Sequence, residues 1–374
     1  MATVPSRDSA TGPRSPQDAP GPQKTIGAPR PPGPPAGPSA VRRGAAIRLT
    51  GLLVGCAVLL LMIVLSISLG AKSIPFGDVV EGLLDPDGSE NAVIVQDYRL
   101  TRTLLGIVVG IGLGLSGAVM QALTRNPLAD PGLLGIESGA SAAVVVAIGG
   151  FGITSLLGYV WFAFAGAVVV AVVVYILGTS GRGAASPVRL VLAGTAVNAS
   201  LIAGITAITF LDDEAFGELR MWAVGTLAGR EGAVLGQVAP FLIAGALIAL
   251  SLSGSLNALA LGDEAGKALG ARVVRTRVLG VLSITLLCGA ATAAIGPVGF
   301  VGLIVPHVAR LITGPDHRWI LAHCVVLAPV LLLGADVLGR LVVRPDELAV
   351  GIVTAAIGAP VLVALVRTRK VPQL

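Results

Sequence analysis

The feature that most constrains this chain is the absence of charge over long stretches. No charged residue interrupts the run from Thr103 to Thr124. A bilayer's hydrocarbon core is crossed by about 20 such residues in a helix. Comparable runs recur almost to the C-terminus. Hydrophobic residues make up 54% of the 374 residues and charged residues only 13%. Soluble domains carry about 25% charged residues, so a chain this poor in charge cannot clothe a large water-facing surface. An all-α polytopic membrane protein follows, with room for about ten spans and their loops. The net charge of +5 does not point to nucleic acid. The bases are scattered between apolar runs and form no aromatic-studded patch; a cytoplasmic bias of Lys and Arg explains them.

Residues 1–45 are rich in Pro, Gly, Ala and Ser and read as a disordered cytoplasmic tail, because such a segment cannot bury enough apolar surface to fold. Residues 46–374 read as one polytopic transmembrane domain. The expected spans are Leu49–Ala71, Thr103–Leu123, Gly132–Gly149, Ser155–Gly178, Leu190–Leu211, Gly232–Ser253, Val278–Ile295, Phe300–Thr313, Trp319–Leu338 and Leu348–Val366. The eighth is short and contains Pro306. Acidic loops at 72–98 and 212–218 fall outside on this threading. Loops carrying Arg125, Arg182, Arg189, Lys267, Arg272, Arg275 and Arg277 fall inside, as do both termini. About fifteen bases lie inside against about seven outside, the asymmetry expected of a plasma-membrane protein.

Gly112, Gly114 and Gly117 match the dinucleotide-binding fingerprint in letters only. They lie in mid-span with no strand before them, which the fingerprint requires. Gly106, Gly110 and Gly114 recur every four residues and form a small-residue seam for close helix packing. There is no GxxxxGK[ST] loop, so energy from ATP would have to come from another chain. Cys56, Cys288 and Cys324 each sit in an apolar run without metal-ligand spacing. Nothing suggests a catalytic residue, a metal site or a bound cofactor. Gly262–Arg272 alternates Asp263, Glu264 and Lys267 with Ala265, Ala268 and Leu269. That suits either a short amphipathic docking helix or a solvated connector.

Arg99 and Arg102, three apart, are expected on one face at the outer rim, and Arg340 on the same side. They could receive carboxylates from a soluble partner. The plainer alternatives are snorkelling, or a local pair such as Asp336 with Arg340 at i, i+4. Glu137, Asn198, His307 and Asp336 are polar groups near or within spans, where an ionisable group is a functional hypothesis by default. His307 could serve backbone groups freed by Pro306.

Several long segments, in order, resemble the permease subunits of type II ABC importers for iron–siderophore, haem and cobalamin, the FecCD family. They are RLTRTLLG, SGAVMQALTRNPLADPGLLGIESGA, LVLAGTAVNA, LNALALGDEAGKALGA, IGPVGFVGLIVPHVARLITGPDHR, GADVLGR and PDELAVGIVTAAIGAPVLVALVR. The resemblance runs from Arg99 to the C-terminus and is nearest to iron–siderophore permeases around FGELRMWAVGTLAGRE. It implies a ten-helix subunit that dimerises, as a homodimer or a heterodimer, around a translocation path. It also implies two ATP-binding subunits below, which use ATP and Mg, and a substrate-binding protein or lipoprotein above. By the same resemblance Arg99, Arg102 and Arg340 meet the binding protein. Gly262, Asp263, Glu264, Lys267, Leu269 and Gly270 belong to the helix that couples to the ATPase. Asn126, Pro127 and Leu128 form the inner gate, with Leu128 as the apolar plug. Two departures are Thr101, where the family often has Pro, and Glu347–Gly351, which lacks a Pro. A permease of the same fold for haem, cobalamin or another metal chelate is the near alternative. An ion-driven secondary transporter using Glu137 or Asp336 is the distant one, though no inverted repeat supports it.

Overall fold

The computed structural model describes residues 38–70, 72–84, 88–153, 155–180 and 187–367. The chain forms two units, Met1–Arg42 and Arg43–Leu374. Of the first, only residues 38–42 are described, and they are helical. Most of the expected tail, and the bases Arg182, Arg369 and Lys370, lie outside the described residues. The first helix includes residues 38–45, which the threading above assigned to the tail.

The helices are α1 (Pro38–Ser68), α2 (Phe76–Leu84), α3 (Glu90–Val93), α4 (Thr101–Thr124), α5 (Ile136–Phe151), α6 (Leu156–Thr179), α7 (Pro187–Leu211) and α8 (Asp213–Ala223). They continue with α9 (Gly232–Ser251), α10 (Ser253–Ala260), α11 (Asp263–Ala268), α12 (Val273–Ile295), α13 (Val301–Thr313), α14 (His317–Val342) and α15 (Val350–Arg367). A π-helical turn, Ile94–Leu100, leads into α4, and a 3-10 turn, Pro131–Leu134, leads into α5. No strand occurs among the described residues.

Seven helices are long and apolar enough to cross a membrane, and three shorter apolar ones, α5, α13 and α15, bring the number to ten among the described residues. Each expected span falls on one of these helices, with ends shifted by a few residues. The main differences are α1, which is described from Pro38, and α12, which begins at Val273 where its charged first turn hid it from a hydropathy reading.

The bundle is built around α4. In the window that includes it, 78% of residues are buried, against 11% for α1 and 6% for α7. Helix α4 packs against α14, α12, α13 and α9, while α5 and α7 pack with α6 to one side. The glycine seam explains the closeness. A Cβ at Gly106 would lie 2.6 Å from a methyl of Leu333, one at Gly110 2.8 Å from the backbone of Pro329, and one at Gly114 2.5 Å from Cβ of Ala328. All three neighbours belong to α14. One turn on, a Cβ at Gly117 would overlap the carbonyl of Gly302 in α13. Helices in lipid associate by such close packing, because burial from water offers them little.

Pro306 inside α13 has no N–H to offer the carbonyl of Gly302. Gln121 Nε2 of α4 donates instead, to Gly302 O at 3.4 Å and Leu303 O at 3.1 Å. Arg310 Nη2 in turn donates to Gln121 Oε1 at 3.0 Å. The residue serving the proline break is therefore Gln121, not His307, which is buried in α13.

Candidate functional site

Chemically distinctive residues gather at the two ends of the bundle. At one end, α1 finishes at Ser68 and its last carbonyls need donors. Arg99 Nη1 donates to Ile67 O at 2.9 Å and Ser68 O at 2.7 Å, and its Nη2 to Lys72 O at 2.6 Å. Gly70 lies flat beneath that guanidinium; a Cβ there would sit 2.7 Å from Nη2. Arg340 Nη1 donates to Ser66 O at 2.9 Å and Leu69 O at 2.8 Å, and its Nη2 to Ser66 Oγ at 3.0 Å. Two cations thus seal the negative end of α1.

Asp336 holds the remainder together. It is fully buried, pairs with Arg340 Nη2 at 2.7 Å, and accepts from Arg102 Nη2 at 2.8 Å and Nε at 3.1 Å. Arg102 Nη1 also reaches Glu347 Oε2 at 2.6 Å. The i, i+4 pair that the sequence allowed for Asp336 and Arg340 is present. Arg99 and Arg102 do not act on one face, however. The π-helical turn aims Arg99 at α1, while Arg102, in regular α4, reaches α14. Arg99 and Arg340 are only 5% and 2% exposed, and their bonds run inward. A cavity of about 310 Å³ opens beside them, lined in part by Lys72, Tyr98, Arg102, Arg230 and Glu347.

The opposite end carries the turn at Arg125–Leu128 and helix α11. Arg125 ends α4 in the left-handed conformation, φ 50°, with Arg125 N–H on Ala122 O at 3.4 Å and Asn126 N–H on Gln121 O at 3.1 Å. This is a Schellman stop, with Pro127 placed to prevent continuation. Asn126 Oδ1 accepts from Leu128 N–H at 3.0 Å, and Asn126 O from Ala129 N–H at 3.1 Å. The turn projects Leu128, 37% exposed, away from the bundle. Asp130 Oδ1 caps the following 3-10 turn through Gly132 N–H at 2.8 Å. Glu137 stands in the first turn of α5, and Ser138 bonds Asn198 of α7.

Helix α11 occupies Asp263–Ala268, framed by Gly262 at φ 108° and Gly270 at φ 85°, conformations that favour glycine. Gly266 is its buried side, against the carbonyl of Ala258. Glu264, Lys267 and Leu269 are exposed, Leu269 at 66%. Asp263 faces inward and pairs with both Arg125 and Arg277, the latter at 2.8 Å. Arg125 also donates to Leu259 O at 3.0 Å. The sequence reading took Arg125 only as an inside-loop base and missed its pairing. Its signal was a cation between a helix end and Asn-Pro, opposite an acid more than a hundred residues away. Nearby, Asn257 Nδ2 donates to Asp316 Oδ1 at 2.8 Å, and Arg48 lies 4.0 Å from Asp316. Burial raises the Asp316 carboxyl, but Asn257, the Arg318 N–H, Arg48 and Arg318 together hold it below the ordinary carboxylate value.

Ten apolar helices among the described residues, with an exposed helical elbow at one end and a charged rim at the other, are the frame of a membrane transport subunit. The chain belongs to the FecCD transport family, which it matches over residues 58–368. It is 48% identical to the ferric enterobactin transport system permease protein FepD of Escherichia coli (strain K12) over 326 residues, 87% of this chain and 96% of that protein. It is 39% identical to the Fe(3+)-citrate import system permease protein YfmD of Bacillus subtilis (strain 168), covering 88% and 97%. It is 38% identical to the hemin transport system permease protein HmuU of Yersinia pestis, covering 72% and 82%. A solved metal-chelate type ABC transporter in an inward-facing conformation superposes with a TM-score of 0.75 at 28% identity, covering 86% of this chain and 99% of that one.

Proposed function

We propose that this chain is the permease subunit of an ATP-driven importer that carries ferric siderophores across a bacterial cytoplasmic membrane. The observation that carries the substrate class is the 48% identity to FepD, against 38% to HmuU and 38% to the cobalamin import permease BtuC of Halobacterium salinarum. In this reading the Arg125 end is cytoplasmic and both termini lie there. Two ATP-binding subunits, which use ATP and Mg, dock on α11. A substrate-binding protein or lipoprotein docks on the opposite rim, and a second permease chain, identical or homologous, completes the path.

In this reading each segment has a task. Glu264, Lys267 and Leu269 face the ATPase. Asp263 faces inward and is tied to Arg125, the residue before Asn126-Pro127-Leu128. Motion of α11 is thereby passed to the gate turn, and the two path conformations bind substrate differently, as transport requires. At the rim, Arg99 and Arg340 act first as clamps on α1. A docking carboxylate would compete with Glu347 for Arg102, which lines the cavity with Arg99, Arg230 and Arg340. Asp336 is locked between Arg102 and Arg340 and is poorly placed as the proton carrier that a secondary transporter would need.

The test is uptake of iron from defined chelates by cells lacking this chain and cells carrying it again. Restored uptake from a catecholate siderophore, with no effect on haem or cobalamin use, is expected. Restoration of haem or cobalamin use alone would assign the permease to that substrate instead. Uptake insensitive to loss of the ATPase partner would remove the ATP-driven mechanism.

A further inference from the structure

A groove of about 410 Å³ runs between helices α6 and α12. Its walls are Phe164, Val168, Ala171, Val172 and Tyr175 of α6 and, on α12, a strip that includes Val278, Val281 and Leu282. Phe164 to Tyr175 spans about 16 Å of helix at 1.5 Å per residue. The hydrocarbon core is about 30 Å thick, so the groove is one leaflet deep. Val172, Val278 and Leu282 are exposed in it, at 51%, 44% and 44%.

The groove ends in positive charge. Val278 also lines an adjoining recess of about 580 Å³, shared with Lys267, Arg272, Val274 and Arg275. Arg272 and Arg275 line a third recess on its other side, with Ser251, Ser255 and Thr276. Both arginines are exposed, and among the described residues no carboxylate pairs with either. The nearby acids are otherwise placed: Asp263 is held by Arg125 and Arg277, and Glu264 lies one turn from Lys267 on α11. A one-leaflet apolar slot that opens at the membrane surface beside two uncompensated arginines matches an anionic phospholipid, with tail in the slot and phosphate at the bases. We propose that α6 and α12 form a binding site for one such lipid, an acyl chain lying between Val172 and Val278 and its phosphate on Arg272 and Arg275.

The test uses the full chain with its co-purifying subunits, reconstituted in phosphatidylcholine doped with phosphatidylglycerol. After extraction in mild detergent, mass spectrometry reads the retained lipid. Phosphatidylglycerol should be enriched over phosphatidylcholine on the native protein, and Arg272→Gln and Arg275→Gln should each cut that enrichment about fivefold, the worth of one cation near a membrane surface. Val278→Trp, which fills the groove and leaves both cations, should cut it as well. Equal retention by the native and double-Gln proteins would overturn the proposal. So would enrichment that survives Val278→Trp but is abolished by excess inorganic phosphate, since the bases would then serve a free anion. Loss of the ATPase subunit from the double-Gln protein with lipid retention unchanged would assign the arginines to that partner and refute the lipid site. None of these readouts depends on which chelate is carried.

Discussion

Replacing Asp336 with Ala isolates the charge that holds the rim together. Asp336 is fully buried and receives Arg340 at 2.7 Å and Arg102 at 2.8 Å. Without it, Arg340, 2% exposed, keeps its bonds to Ser66 and Leu69 but loses its only ion pair among the described residues. Breaking a buried pair by removing one partner costs about 3–5 kcal/mol, because the other charge stays buried. At about 2 °C per kcal/mol for a large domain, the apparent melting temperature should fall by about 6–10 °C. Thermal unfolding in detergent, read by loss of the monodisperse peak on size exclusion, measures it. Glu347→Gln is the control. Its carboxylate is 27% exposed and pairs only at the edge of Arg102, so it should cost below about 1 kcal/mol. If Asp336→Ala melts no lower than Glu347→Gln, the buried network is not what fastens α1, α4 and α14.

Two further outcomes follow from the packing and the elbow. Gly117→Val should abolish folded protein in the membrane, since the new side chain meets the backbone carbonyl of Gly302; Gly204→Ala, with no neighbour within 4 Å, should accumulate normally by immunoblot. Asp263→Asn should keep the ATPase bound yet lower substrate uptake up to about fivefold while ATP hydrolysis continues, because the part-exposed ion pair to Arg125, worth at most about 1 kcal/mol, is lost. Asp263→Glu should retain most uptake, and unchanged coupling in Asp263→Asn would remove Arg125 from the transmission route.

The spans were legible because lipid permits little else. Backbone polar groups must be satisfied within each segment, so ten apolar stretches mean ten helices. The seam at Gly106, Gly110 and Gly114 was legible for a related reason: small residues every four positions make sense only where another helix comes close. Its partner was not legible, since α14 lies two hundred residues away and nothing local in GADVLGR names α4. The three rim arginines were legible as a set, but their aim was not. The π-helical turn Ile94–Leu100, which holds Arg99 but not Arg102, altered the facing, and no periodicity rule anticipates one.

The sequence by itself determined that this chain crosses a membrane many times, which end of each loop carries charge, and which family it resembles. These properties reside in composition and in contiguous motifs, and they survive without knowing who packs against whom. Only the tertiary structure decided what the polar residues do. It turned Arg99 and Arg340 into caps for α1, gave Gln121 to the Pro306 break, and joined Asp263 to Arg125 beside the Asn126–Leu128 turn. Those pairings cross more than a hundred residues of chain or depend on a few degrees of helix rotation. In a low-dielectric interior each buried charge must find its partner wherever the fold brings one, and where that is depends on the whole bundle.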